Sequence, residues 1–160
     1  MQNKTLIPLF LLALTLVLVC CFSLRAQPLR CDSEQTVEID TPTIKSSMDA
    51  KVSFLIGTTG EGTIAYTGSV THNTIKHQLN REVFFRYRKS EHENIYYIVT
   101  FKQNKKVNDN TPDDIFYNYY LPSPLLTEFP IEVFQSEHNA LIVKGLNHAY
   151  FMCALKYGVQ

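Results

Sequence analysis

Segments in which apolar and polar residues alternate recur along the chain, and turn-forming residues separate them. In residues 50–57 the apolar side chains Val52, Phe54 and Ile56 occupy alternate positions, which is the period-2 pattern of a strand with one buried face. The glycine-containing turn TTGEG then leads into residues 63–72, so these two segments predict a β-hairpin. About seven or eight such segments predict a mainly β domain, folded as an antiparallel sandwich or a barrel.

The aromatic composition agrees with a β domain. The chain has ten Phe, nine Tyr and no Trp, and aromatic residues favour strands. Residues 94–102 are apolar on both faces, which predicts that a helix or another protein covers the second face. Residues 115–130 carry too many prolines for a long helix, and residues 36–39 predict one short edge strand.

The N-terminal segment is strongly apolar. From Leu6 to Leu24 there is no charged residue, and such a helix would span about 28 Å, close to the thickness of a bilayer core. We therefore expect residues 1–26 to be an uncleaved single-pass anchor and residues 27–160 to form an exported β-domain. The alternative is a signal peptide cleaved after Ala26, although Leu24 is not the small residue that cleavage prefers.

The cysteines indicate an oxidising compartment. Cys20 and Cys21 lie in the apolar segment, which leaves Cys31 at the start of the domain and Cys153 near its end. An even pair of this kind predicts a disulfide bond in an exported domain. The alternative is two unpaired buried thiols in a cytosolic protein.

The sequence contains no recognisable catalytic signature, so we expect a non-enzymatic protein. None of the nucleophile motifs is present, and Asp113 and Asp114 next to Pro112 are typical of a solvated turn. None of the five histidines forms a zinc-site spacing with a cysteine, so no metal or cofactor is expected. The formal charge is zero without a clustered basic excess, which argues against direct binding of nucleic acid.

One strand carries four basic residues, namely Arg81, Arg86, Arg88 and Lys89. They are interpreted either as charges that protect an edge strand from aggregation or as a docking face for an acidic partner or an anionic ligand.

A set of strand residues on predicted inward faces either fills a core or lines an apolar cavity, if the sheet closes around a space too large to fill. The candidate ligand-binding residues are Phe54, Tyr66, Phe85, Tyr87, Tyr97, Val99 and Phe101.

The layout resembles that of the FidL-like small membrane proteins of enteric bacteria. The resemblance is carried by the anchor, Cys31 just outside it, SFLIGTTGEGTIAYTGSV, NREVFFRYR, YYIVTF, YLPSP and the final FMC. The layout is also similar to the ToxS and VtrC class of proteins, which accompany membrane-tethered transcription regulators of the ToxR type.

The resemblance implies a function and a location. It implies a single-pass protein of the bacterial inner membrane whose periplasmic domain pairs with that of a ToxR-like regulator. In the VtrC type the two partners together form a lipocalin-like barrel that can take up bile salts, so the resemblance implies a lipocalin-like barrel, complete or incomplete in this chain alone, and an amphipathic molecule such as a bile salt as the candidate ligand. The alternative function is a secreted lipocalin-like carrier of an apolar small molecule.

Overall fold

The computed structural model describes residues 28–92, 94–136, 139–145 and 149–156. The expected anchor, residues 1–26, lies outside this part of the chain. No helix in the described ranges has both the length and the apolar character needed to cross a membrane.

Eight antiparallel strands form one closed barrel in which each strand pairs with its neighbours in the sequence and the last strand pairs with the first. A closed barrel confirms the expected mainly β fold and decides between the two architectures that the sequence left open. The strands are β1 Leu29–Asp40, β2 Lys45–Ile56, β3 Glu61–His72, β4 Ile75–Lys89, β5 Ile95–Lys105, β6 Glu128–Ser136, β7 Ala140–Lys144 and β8 Ala149–Lys156.

The first strand is longer than expected. The sequence predicted an edge strand over residues 36–39, whereas β1 begins at Leu29 and pairs with β2 along its whole length. Its first residues also pair with β8, Arg30 opposite Lys156 and Asp32 opposite Ala154. The polar composition of this stretch concealed the strand, because alternate side chains of a barrel strand face solvent.

The two ends of the barrel differ. At one end, here called the mouth end, β1 begins at Leu29 opposite Ile56, and the β2–β3 and β4–β5 turns lie there. At the other end, the helix end, a short helix α1, Asp113–Tyr119, follows β5. Its Phe116 is fully buried and meets the ring of Tyr66 edge-on at 5.2 Å. The helix therefore fills the helix end with aromatic side chains.

A buried ion pair fastens the chain before α1 to β4. Arg81 and Asp109 have no exposed side-chain surface, and Nε and Nη2 of the arginine donate to the two carboxylate oxygens at 2.8 Å each. Nη2 also donates to the Thr111 carbonyl at 2.7 Å. Burial raises the pKa of Asp109, but the hydrogen bonds from Arg81 and from the Asn80 and Thr111 amides outweigh burial and hold it below its ordinary value.

The disulfide joins the first strand to the last. Cys31 in β1 and Cys153 in β8 are bonded, with their Cα atoms 5.5 Å apart and a sequence separation of 122 residues. The pairing expected from the sequence is confirmed. The barrel closes where β8 pairs with β1, and this pairing covers only residues 30–32 of β1. The disulfide therefore lies at this seam and reinforces a short pairing.

Candidate ligand cavity

A cavity of about 390 Å³ lies inside the barrel in the half nearer the mouth end. Its wall contains inward side chains from all eight strands, and the disulfide residues Cys31 and Cys153 are part of it. The volume falls within the range of about 300–1,000 Å³ that small-molecule sites occupy. This half of the barrel is therefore large enough to hold a small ligand.

Three of the seven candidate residues line this cavity. Phe54, Phe85 and Tyr87 project into it from β2 and β4, as the alternation of those strands predicted. Tyr66 also faces inward but lies deeper, against Phe116 of α1, where burial raises its pKa far above the ordinary value. It belongs to the packed core between the cavity and the helix end.

The other three candidates, Tyr97, Val99 and Phe101, do not line the cavity. Tyr96 and Ile98 project into it from β5 instead. The sequence could not distinguish the two faces of this strand, because both are apolar and alternation then carries no information about which one is inside.

Arginine side chains from β4 cover the outward aromatic rings of β5. The guanidinium of Arg88 lies 4.0 Å from the ring centre of Tyr97, and that of Arg86 lies 4.5 Å from the ring centre of Phe101. Such stacking shields an aromatic face while the charge remains in water. Two aromatic rings of the second face of β5 thus have partial cover within the chain, and Tyr97, Val99 and Phe101 remain half-buried.

The basic residues of β4 do not all lie on its outer face, as the following residues show. Arg86 and Arg88 are exposed, and they pair with Glu61 at 2.9 Å and Glu128 at 2.9 Å. Arg81 is buried inside the barrel, since odd-numbered positions of this strand face inward. β4 lies between β3 and β5, so the edge-protection interpretation is wrong.

Much of the cavity wall comes from the C-terminal strands, which the sequence analysis did not include among the candidate residues. The inward residues there are Phe129, Ile131, Val133, Leu141, Val143 and Phe151. Their alternation along residues 131–136 and 140–145 was visible, and it was the signal that could have identified them. Phe151 of β8 stacks on Phe54 of β2 with ring centres 4.0 Å apart. This contact joins the part of the wall from the C-terminal strands to the part from the N-terminal strands.

Polar groups are few on the cavity wall. None of the described residues that line it carries a charged side chain, and its polar side chains include Asn94 and Gln135 near the mouth end. The hydroxyl group of Tyr87 donates to the Gly57 carbonyl at 2.6 Å, so its proton is already engaged. The cavity can accept an apolar body, whereas an ionised group placed inside it would be desolvated without a counter-charge.

A charged cluster lies beside the cavity at the barrel seam. The carboxylate of Asp32 forms two ion pairs, with Oδ2 at 2.7 Å from Lys156 Nζ and Oδ1 at 3.3 Å from Arg30 Nε. The hydrogen bond from Lys156 lowers the pKa of Asp32 to about 2, against the opposing effect of burial. The contact with Lys156 joins β1 to β8 next to the disulfide, whereas the contact with Arg30 lies within β1. Nowhere in the described ranges, this cluster included, do three His, Cys, Asp or Glu side chains lie closely enough together to hold a metal ion.

Comparison with known proteins found one family. A family model described as FidL-like putative membrane protein matches residues 68–153, which is more than half of the chain. The matched residues run from β3 to Cys153 in β8 and contain α1 and much of the cavity wall. A search of curated proteins and a search of solved structures each found no match.

Proposed function

The chain belongs to the FidL-like family of membrane proteins, and from this premise we propose that it is a non-enzymatic signalling component. In this proposal an N-terminal anchor tethers the barrel on the periplasmic side of the bacterial inner membrane. The barrel pairs with a ToxR-like transmembrane transcription regulator and modulates it. A small amphipathic molecule, such as a bile salt, binds in the cavity and changes that modulation.

The observation that carries the proposal is the cavity. It is apolar, it lies inside a closed barrel, and its about 390 Å³ would hold a small hydrophobic body. None of the described residues that line it carries a charged side chain, so the wall favours an apolar body. Binding of such a body is the role that supports the proposal.

A surface for the regulator is available at β1. Among the described strands, residues 33–40 of β1 pair with β2 alone, because β8 pairs only with residues 30–32. A strand edge of this kind presents backbone N–H and C=O groups that can pair with an added strand. The chain closes its barrel without a partner, so the regulator would add to this edge and need not complete the barrel.

Ligand binding is tested with two substitutions on one strand. In Val143→Trp the indole enters the cavity, whereas in Ile142→Trp, the matched control, it lies on the outer face of β7. We expect deoxycholate to bind the full chain and the Ile142→Trp variant in nanodiscs, and Val143→Trp to lose at least about tenfold in affinity because the space is filled. Equal affinity in both variants would place the ligand outside the cavity.

Signalling is tested by co-expression with a candidate ToxR-like membrane-bound regulator, sought first in the neighbouring open reading frames. We expect the two full chains to co-purify and deoxycholate to change the transcription that the regulator controls. Val143→Trp should still co-purify but should no longer transmit the response. Deoxycholate binding without co-purification would contradict the signalling role and leave a carrier function.

A further inference from the structure

We propose that the cavity receives its ligand from the adjacent bilayer leaflet and not from water. The ligand is a membrane-partitioned amphiphile whose apolar body enters through the mouth end of the barrel. This inference rests on the proposed function for the membrane tether and for the cavity as the ligand site.

The opening of the cavity lies at the mouth end. Leu29 and Ile56, which are opposite each other where β1 begins and β2 ends, both line the cavity. Asn94, before β5, and Gln135, near the end of β6, also line it and are exposed, so solvent reaches the cavity beside them. At the helix end Phe116 is fully buried and closes the interior.

The sequence holds this opening close to the membrane. Only residues 25–28 separate the apolar segment, which ends at Leu24, from Leu29 at the start of β1. Even fully extended, this connection reaches about 18 Å, and the headgroup layer takes roughly 5–8 Å of that distance. A tether of this length keeps the mouth end within a short distance of the lipid headgroups.

The wall of the cavity selects for the molecules that a leaflet holds. It is apolar and lacks charged side chains among its described residues, so a ligand inserts its hydrophobic body and leaves any ionised head at the mouth. Molecules of this kind are more concentrated in a bilayer than in the water beside it, because the bilayer removes their apolar surface from water. An opening that faces the headgroups meets them at a high local concentration.

The test measures how fast a quencher carried by the bilayer reaches the inside of the barrel. The chain has no tryptophan, so Tyr96→Trp places one reporter in the cavity, and Tyr97→Trp places the matched control on the outer face of the same strand. Each full chain is reconstituted in vesicles of phosphatidylethanolamine and phosphatidylglycerol. The probe is 9,10-dibromostearate, since bromine quenches tryptophan on contact.

A rigid spacer separates the two routes. Twelve prolines inserted after Gln27 raise the mouth by about 37 Å, and the same twelve inserted after Gln2 provide the control. We expect quenching of Tyr96→Trp to slow at least about tenfold with the spacer after Gln27 and to stay unchanged with the control spacer.

The outcomes distinguish this inference from the proposed function. Equal quenching rates with both spacers would overturn the leaflet route while leaving cavity binding intact. A mature chain that begins near Gln27 in mass spectrometry would overturn the route as well, because no tether would remain. If the probe fails to quench the tryptophan of Tyr96→Trp with either spacer or with none, and gives the same result with Tyr97→Trp, the cavity is not a ligand site. That result would overturn the proposed function as well.

Discussion

Arg81→Met removes the guanidinium that fastens the chain before α1 to β4, and we expect it to lower the free energy of unfolding by about 3–5 kcal/mol. Two hydrogen bonds to Asp109 at 2.8 Å, one to the Thr111 carbonyl at 2.7 Å and one to Asp113 Oδ1 at 3.2 Å are lost. The Asp109 carboxylate remains fully buried without a counter-charge, and this desolvation sets the size of the effect. Phe116 also loses the cation that lies 4.4 Å from its ring centre.

The assay is urea unfolding of the full chain in detergent micelles, followed by circular dichroism. Arg86→Met is the matched control, because the ion pair of Arg86 with Glu61 is exposed and should be worth at most about 1 kcal/mol. The double variant Arg81→Met/Asp109→Asn removes both charges and keeps an amide oxygen as an acceptor for the backbone N–H groups of Asn80 and Thr111, so it should recover part of the loss. An Arg81→Met variant within about 1 kcal/mol of the unmodified protein, with an unchanged dependence on urea, would refute the reasoning.

Three further outcomes follow from the barrel. Replacing Cys31 and Cys153 with serine should cost about 4–5 kcal/mol in the same urea series because the bond closes a loop of 122 residues, and a cost below about 1 kcal/mol would contradict this. The pKa of Asp32 is lowered to about 2, so the stability that its charge provides is present above the unfolded pKa near 4 and is lost as the pH falls towards 2. Asp32→Asn should remove about 1 kcal/mol of this acid-dependent stability after solvent screening. An unchanged profile of unfolding free energy against pH would argue against this assignment. Phe116→Ala should cost about 3–5 kcal/mol because it empties the helix end, which the urea midpoint measures, and an unchanged midpoint would show that the helix is not part of the core.

The sequence predicted inward faces well where one face of a strand is polar. In β4 the inward placement of Phe85 and Tyr87 follows from alternation with Arg86 and Arg88, and the structure confirms it. In β5 both faces are apolar, so the same rule could not show that Ile98 faces inward.

Arg81 shows a different limit of sequence reasoning. It lies in a basic stretch and was interpreted as one of its exposed charges, yet it is buried. Its partner Asp109 is 28 residues further along the chain, in a loop whose charges are typical of a solvated segment. A long-range pair of this kind leaves no local pattern, and the position of α1, which follows that loop, was equally hidden.

The place of the disulfide has a mechanical consequence. β1 begins only two residues before Cys31, so a pulling force applied at Leu29 reaches a covalent bond almost at once. The load then enters both β1 and β8, and neither strand can peel from the barrel one hydrogen bond at a time. With Cys31 and Cys153 reduced, the same force would unzip β1 from β2 starting at its first residue. The bond therefore makes the barrel resistant to a force applied at the start of its first strand.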